Sequence, residues 1–409
     1  MTAPAATAQE TWVDRLPRGN RAVAWVGVLL GLLAFFIALP PIAARNPVWP
    51  LLCGVLGLAA GVWTATRGVG RIAWFAIVLS VFGVGLGYAA TLSGVGKLDS
   101  VVVWSALFAA TLRYATPLTF AAIGGMFSER SGVVNIGLEG MMLMGAFFAI
   151  LAADKLNSWW LGLAAALVAG GLTALIHAFV SISLRADQIV SGTAINFLAL
   201  GVTGYFFIDV YGDQGTPGEG IPRIPDVNLD FLGSIPGVGN FLEDVFGHLN
   251  LMIWLSFVLL VVSYFVMFRS PIGLRLRSVG EHPRAADTVG INVYATRYAA
   301  VVVSGMLAAL GGAYLSIGFL GSFNENMTAG RGFIALAALI FGNWKPFGAF
   351  GAALLFGFSS ALAQRLPAYS DSGAVLFQTL PYVLTLIAVA GVIGRSIPPA
   401  AIGRPYVKQ

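Results

Sequence analysis

The sequence predicts an all-α membrane protein, a polytopic bundle of helices. Hydrophobic residues make up 58% of the 409 residues and charged residues only 10%, whereas soluble domains carry about 25% charged residues. The mean hydropathy is +0.84. At about 20 apolar residues for each crossing, the apolar runs account for about ten to twelve transmembrane segments. The 51 glycines also fit helices that pack closely in lipid.

Composition argues against several other classes of protein. The net charge of +5 comes mainly from loops and tails, as expected for a membrane protein, and does not indicate nucleic-acid binding. Cys53 stands alone in an apolar run, which excludes a disulfide or metal framework. The segment from Gly94 to Lys97 lacks the spacing and the hydroxyl of a phosphate-binding loop. No catalytic residue, metal ligand or cofactor is predicted, so any ATP hydrolysis is expected on another polypeptide.

The first hundred residues comprise a predicted tail and three helices. Residues 1–21 are polar and carry acidic side chains, which predicts a short cytoplasmic tail and not a cleaved signal peptide. Residues 22–100 add transmembrane helices to which the sequence assigns no role. These helices are predicted at Ala22–Ala43, Val48–Thr66 and Arg71–Thr91.

A polar break follows the next apolar run, Val101–Phe127, in which Pro117 predicts a kink. The segment from Ser128 to Gly140 places three charges and an asparagine between two hydrophobic runs. Such groups are costly against lipid, so they should face protein, headgroups or a water-filled path. A short cytoplasmic turn with a snorkelling arginine fits the residues equally well. The four polar side chains are Glu129, Arg130, Asn135 and Glu139.

Two polar residues lie inside the helices that follow. His177, within Trp159–Leu184, is expected to be a packing residue with satisfied hydrogen bonds and not a ligand. Asn196, within Ile189–Val210, either bonds a neighbouring helix or faces a solute.

One long polar loop, residues 211–250, interrupts the apolar pattern. It is rich in glycine and proline, and it holds six acidic residues against one arginine. Little positive charge is typical of an external loop. The sequence leaves open whether this loop docks a partner protein or only connects two helices.

A basic stretch, residues 269–297, lies between the apolar segments Leu251–Phe268 and Tyr298–Leu320. Short basic loops remain in the cytoplasm, so this one is predicted to face inward. Pro283 suits a first helical position and Gly290 the residue after a helix end, which predicts one short helix. A helix of about two turns is marginal in water, so either a partner holds it or the stretch is an ordinary solvated loop. Its apolar surface would comprise Ala285, Ala286 and Val289.

A second polar break lies near the carboxyl end. The segment Asn343–Pro346 separates Phe333–Gly342 from Phe347–Leu366, which echoes the first break and predicts an internal repeat with discontinuous helices. The sequence leaves open whether Phe333–Gly342 crosses the membrane or re-enters it. Val375–Ile393 is predicted as the last crossing and residues 395–409 as a cytoplasmic tail, so both termini are expected inside.

Two motifs resemble those of a known family. The segments Gly280–Val293 and Ser304–Gly312 resemble the coupling-loop signature of ABC importer permeases of the branched-chain amino acid, simple sugar and nucleoside group. The segment from Phe127 to Met142 is similar to the signature of the nucleoside-type permeases in that group. The resemblance implies that the short helix sits in a groove of a separate ATPase subunit.

The resemblance also implies roles for individual residues. ATPase coupling is implied for Gly280, Glu281, Pro283, Arg284, Ala285, Ala286, Gly290 and Ile291. A place on the translocation path or at its gate is implied for Glu129, Arg130, Asn135, Glu139, Asn196, Asn343 and Trp344.

An ATP-driven importer follows from this resemblance, with residues 101–394 as its permease domain in the bacterial plasma membrane. The expected partners are ABC ATPase subunits, a second and related permease, and an extracytoplasmic substrate-binding lipoprotein. Nucleosides or related compounds would cross by alternating access, with simple sugars or branched-chain amino acids as alternative substrates. Other classes remain as alternatives: a membrane-embedded enzyme, or a transporter driven by an ion gradient with Glu129 or Glu139 as its acidic residue.

Overall fold

The computed structural model of the chain describes residues 19–38, 48–93, 103–217, 220–365 and 397–408. The chain divides into two compact units. The first holds the described residues up to Trp104. The second begins at Ser105 and includes the C-terminal residues.

Glycine determines how closely the helices of the first unit pack. A Cβ on Gly57 would lie 2.4 Å from Ser80 Oγ, and a Cβ on Gly31 would lie 2.9 Å from the same oxygen. Because these positions have no side chain, the helix backbones approach closely, as small residues permit in membranes. The helices lie where the sequence predicts three of them: α1 (Asn20–Ala38), α2 (Val48–Thr66) and α3 (Arg71–Ser93).

The second unit contains the two predicted breaks and the basic stretch. Its long helices begin with α4 (Trp104–Arg130), α5 (Leu138–Lys155), α6 (Trp159–Ala178) and α7 (Gln188–Tyr211). They continue with α8 (Leu251–Arg269), α9 (Pro271–Glu281), α10 (Pro283–Thr288), α11 (Val293–Ala313), α12 (Arg331–Phe341) and α13 (Pro346–Arg365). Two of these helices extend as π-helical turns, α6 through Phe179–Ser183 and α11 through Tyr314–Leu320.

Helix α11 is buried between its neighbours and packs against α5 and α6. A Cβ on Gly145 of α5 would lie 2.3 Å from the Ala309 carbonyl oxygen. A Cβ on Gly312 of α11 would lie 1.8 Å from the Met142 carbonyl oxygen. Glycine therefore sets the distance between these helices.

Within the described residues, seven helices are long and apolar enough to cross a membrane. The chain is thus a multi-pass, all-α membrane protein. Helix α12 has only 11 residues, a length of about 16 Å, which is about half of the roughly 30 Å hydrocarbon core. It is too short to cross alone, and re-entry into the membrane remains a prediction. The predicted last crossing, Val375–Ile393, lies outside the described residues.

The boundaries of the first break differ from the prediction. Helix α4 continues through Arg130, so the break begins at Ser131 and not at Ser128, and α5 begins at Leu138. Pro117 lies inside α4, which runs as one helix. The polar residues do not end the helix, because partners elsewhere in the fold satisfy their side chains.

The loop at residues 211–250 has structure of its own in its described part. Strand β1 (Asp226–Asn228) pairs antiparallel with β2 (His248–Asn250). The side chain of Asn250 accepts a hydrogen bond from Met252 N and donates to the Ile224 carbonyl oxygen at 2.8 Å. Asn250 therefore caps α8 and fixes the end of the loop against it.

The basic stretch contains one helix that was not predicted. Residues Pro271–Glu281, interpreted as part of a loop, form α9. Ser270 caps it, since its Oγ accepts from Gly273 N at 3.2 Å, and Pro271 occupies the first turn. The Ser-Pro pair is a helix-start signature that could have predicted α9.

Candidate functional site

The first break, residues 131–137, exposes backbone groups that neighbouring side chains satisfy. The Gln188 side-chain oxygen accepts from Val134 N at 2.7 Å, and His177 Nε2 lies 3.0 Å from the Val134 carbonyl oxygen. Backbone groups that are buried outside a helix need such partners, because a buried polar group without a hydrogen bond costs free energy. His177 also bonds Ser191 Oγ through Nδ1 at 2.9 Å. The prediction that His177 is a satisfied packing residue is confirmed.

Asn196 also holds the first break. Its Oδ1 accepts from Gly140 N at 2.8 Å, and its Nδ2 donates to the Ile136 carbonyl oxygen at 3.1 Å. Of the two roles that the sequence left open, these contacts match the bond to a neighbouring segment. Its place on a path remains a prediction.

Asn135 is fully buried at the middle of the same break. Its amide nitrogen donates to Ser304 Oγ of α11 at 2.9 Å. Its Oδ1 has no hydrogen-bond partner among the described residues. One end of this amide is therefore fixed and the other is still able to accept a hydrogen bond.

The second break, between α12 and α13, contains two consecutive strained residues. Asn343 has φ +53° and Trp344 has φ +51°, values that residues with a Cβ rarely adopt. Such conformations cost of order 1–3 kcal/mol each and persist only where the surroundings impose them. The contacts of this turn must therefore hold it in place.

The two breaks are joined by a group that we name the clasp, comprising Glu129, Arg130, Asn343 and Trp344. The Trp344 indole nitrogen donates to Glu129 Oε2 at 2.6 Å. Arg130 Nε donates to the Trp344 carbonyl oxygen at 3.0 Å, and a second guanidinium nitrogen reaches the Asn343 carbonyl oxygen at 3.4 Å. Glu129 is only 3% and Trp344 only 4% exposed. These four residues, predicted as site residues from two separate segments of the sequence, thus form one connected group of hydrogen bonds.

Glu139 makes a second bridge, which joins the start of α5 to the start of α12. Its carboxylate accepts from the backbone nitrogens of Gly330 and Gly332, at the start of α12. A carboxylate is favoured there by the free N–H groups and by the helix dipole. A Cβ on Gly332 would lie 2.5 Å from the Glu139 backbone, so α12 begins in direct contact with α5.

The basic stretch folds as two short helices, which we name the coupling segment, residues 271–290. Pro283 occupies the first turn of α10 and Gly290 has φ +84°, so the predicted start and end of the short helix are confirmed. Gly280 packs on the first break, since a Cβ there would lie 2.0 Å from the Arg130 carbonyl oxygen. Arg130 also lies 4.0 Å from Glu281.

The predicted apolar surface of α10 needs one correction. Ala285 is exposed and Val289 is 75% exposed. Ala286 is only 3% exposed and packs with Val279, Val293 and Tyr406. Because Ala286 faces α9 and α11, it belongs to the core and not to a docking surface.

The remaining residues for which coupling was predicted divide between surface and core. Arg284 and Gly290 are exposed, whereas Pro283 and Ile291 are partly buried. The Ile291 backbone nitrogen donates to the Ala286 carbonyl oxygen at 3.0 Å, which closes the end of α10.

A C-terminal strap, residues 397–408, crosses both breaks and the coupling segment. Backbone bonds join Ala401 N to the Gly280 carbonyl oxygen at 2.9 Å and Gly403 N to the Gly132 carbonyl oxygen at 3.1 Å. At its start, Ile397 N donates to Asn343 Oδ1 at 3.0 Å. The strap therefore contacts each part of the candidate site.

Two residues that hold the strap were missed by the sequence analysis. Arg297, 1% exposed, donates to the carbonyl oxygens of Ser131 and Arg404 at 3.2 and 3.0 Å. The Tyr406 hydroxyl donates to Asp287 Oδ2 at 2.8 Å. Burial and the Asp287 carboxylate raise the pKa of Tyr406, so the phenol stays protonated. Arg297 could have been found as a lone charge opening an apolar helix.

Comparison of the sequence with known proteins identifies its family. Residues 107–389 match the family described as the branched-chain amino acid transport system / permease component. The chain belongs to this permease family. The match covers both breaks, the clasp and the coupling segment, and it begins close to the start of the second unit.

Relatives of this chain are permeases of ABC transporters. The guanosine ABC transporter permease protein NupQ of Bacillus subtilis (strain 168) is 47% identical over 71% of this chain and 93% of its own length. The nucleoside permease NupC of Lactococcus lactis subsp. cremoris (strain MG1363) is 42% identical over 72% and 94%. TsgC13 of Haloferax volcanii, a permease named for glucose, is 35% identical over 66% and 82%. A second guanosine permease of B. subtilis, NupP, is 26% identical over 62% and 72%.

Membership of this family establishes the class of the protein. It is the permease subunit of an ABC importer and not an enzyme, and its family implies partner subunits that hydrolyse ATP and bind substrate. The alternative of an ion-driven transporter is not favoured. Glu129 accepts a hydrogen bond from Trp344 of the second break, and Glu139 accepts from the start of α12, which gives both acids a structural role.

The Glu139 bridge predicts the effect of one substitution. Glu139→Gln would turn an NH₂ group toward one of two backbone N–H groups, so a buried donor would lose its acceptor at a cost of about 1–3 kcal/mol. We expect ATP-driven uptake to fall and the unfolding temperature to drop.

Glu325→Gln is the matched control, since Glu325 is exposed and should tolerate the change. Normal uptake and an unchanged unfolding temperature in Glu139→Gln would contradict the role of Glu139 as a bridge.

Proposed function

We propose that this permease imports nucleosides. The observation that carries the proposal is the 47% and 42% identity, over more than 70% of the chain, to permeases named for guanosine and for nucleosides. The similarity spans the first break, where the motif at residues 127–142 also resembles nucleoside-type permeases. The glucose-named relative is less similar, so a sugar is the second candidate substrate.

We infer that the coupling segment transmits ATPase closure to the clasp. Only His282 separates α9 from α10, so a partner that displaces α10 also moves α9. Gly280 of α9 abuts the Arg130 backbone, and the Arg130 side chain holds the second break at Asn343 and Trp344. Movement of α9 would therefore shift both breaks together, which is the change that alternating access requires.

The strap supports the proposed orientation of the chain. It contacts Gly280 of the coupling segment, so the carboxyl end lies on the same side as the surface for the ATPase. We propose that this side is cytoplasmic, that the amino-terminal tail lies there also, and that the protein resides in the bacterial plasma membrane.

The proposed complex contains a second, related permease. B. subtilis has two guanosine permeases similar to this chain, NupQ and NupP, at 47% and 26% identity. This difference fits two diverged partners better than two identical subunits. We further propose that residues 101–394 form the permease domain and that residues 22–100 are additional membrane helices outside the family match, which begins at residue 107.

Substrate competition tests the proposed function. We expect the complex, purified with its co-isolated subunits and reconstituted in vesicles, to take up labelled guanosine when ATP is supplied to the ATPase side. An excess of unlabelled adenosine or uridine should compete, because these compounds share the ribose and a planar base. Competition by glucose or leucine, with none by nucleosides, would reject a nucleoside substrate.

A charge on the exposed face of α10 tests the coupling role. Val289→Asp would bury an unpaired carboxylate against the ATPase, so ATP-driven uptake should fall by roughly tenfold or more, while the binding protein still docks. Val289 is a cleaner position than Ala286, where a charge would disrupt the core.

Leu156→Asp is the matched control, an apolar residue that is 57% exposed in the turn after α5, away from the coupling segment. Unchanged uptake in Val289→Asp, or an equal loss in both variants, would reject the assigned docking surface.

A further inference from the structure

A groove beside the second break combines aromatic walls with two cations. Its volume is about 390 Å³, and it lies between the end of α8 and the start of α13. Tyr264 contacts both Phe268 and Phe347, with ring centroids 5.8 and 5.4 Å apart. Arg269 and Lys345 complete the lining. Among the described residues no acidic side chain lines the groove, so these residues present a positive charge on an apolar floor.

The two cations are free to bind an anion. Both are exposed, and neither forms an ion pair within 4.0 Å in the parts of the chain that the structure describes. The neighbouring Arg130 and Arg277 add positive charge, since their guanidinium carbons lie 5.9 and 5.1 Å from the Phe268 ring. Two cations that line one groove attract a negative group.

The groove lies at the boundary of the membrane. Helix α8 has 19 residues and a mean hydropathy of 2.5, which is a length of about 28 Å, close to the thickness of the hydrocarbon core. Arg269, its last residue, therefore lies at headgroup level. Tyr264 lines the groove, and tyrosine is enriched at this level of membrane proteins. Beside it, Phe265 and Phe347 are 57% and 53% exposed.

We propose that this groove binds an anionic phospholipid. A headgroup phosphate would lie between Arg269 and Lys345, with an acyl chain along the exposed aromatic rings. Lys345 directly follows Trp344 of the clasp, so a bound lipid would stabilise the strained turn of the second break. Lipid composition would then act on the element that joins the two breaks.

Lipid binding to the full-length protein, purified with its co-isolated subunits, tests the proposal. Native mass spectrometry would count phosphatidylglycerol and phosphatidylcholine molecules retained during titration. We expect phosphatidylglycerol to bind more tightly, and Arg269→Gln/Lys345→Gln to weaken that preference by about tenfold. Phosphatidylglycerol should also raise the unfolding temperature of the wild type but not of this variant.

The matched control is Arg21→Gln/Arg67→Gln, which removes two exposed arginines near helix ends of the first unit. An equal loss of lipid in both double variants would overturn the site, because only total charge would then matter. If the groove variant does not fold, lipid retention by the wild type still tests the proposal. Equal retention of phosphatidylglycerol and phosphatidylcholine by the wild type would overturn it. Full displacement of phosphatidylglycerol by inorganic phosphate would identify a free-anion site instead.

Discussion

Asn343 and Trp344 sit in left-handed backbone conformations at the turn between two membrane helices, and this strained turn depends on the clasp. Arg130 holds the two carbonyl oxygens of the turn, and Glu129 accepts from the Trp344 indole. Separating these buried partners costs free energy, because each group would lose its hydrogen bond and could not replace it with a bond to water. The positions of both helix breaks, and of the four helices that they interrupt, follow from these bonds.

The clasp also connects the membrane breaks to the surface of the protein. Arg130 makes this connection, because its side chain holds the second break and its backbone lies against Gly280 of the coupling segment. The strap adds a parallel connection, from Asn343 through Gly280 to Gly132. A subunit that moves α10 would therefore act on segments that are directly bonded to one another. Chains of packed and hydrogen-bonded elements can carry coupling between distant sites when they have two discrete arrangements.

Local chemistry made part of this arrangement predictable. Pro283 and Gly290 restrict the backbone at the ends of α10, and the charges around residues 128–140 indicated a break near them, although Glu129, Arg130 and Glu139 lie in the flanking helices. The pairing of Glu129 with Trp344 was not predictable, because the two residues are 215 positions apart and neither segment contains a signal that identifies the other. Arg297 was counted as a loop charge because its burial depends on the strap, a segment that the sequence presents only as a basic tail.

A double-mutant cycle between Glu129 and Trp344 tests the clasp most directly. Trp344→Phe leaves a buried carboxylate without the indole, Glu129→Leu leaves a buried indole without the carboxylate, and the double variant leaves neither unpaired. The account predicts that the double variant loses less unfolding free energy than the two single losses combined, by about 1–3 kcal/mol. Additive losses, with a coupling near zero, would contradict the claim that this pair joins the two breaks.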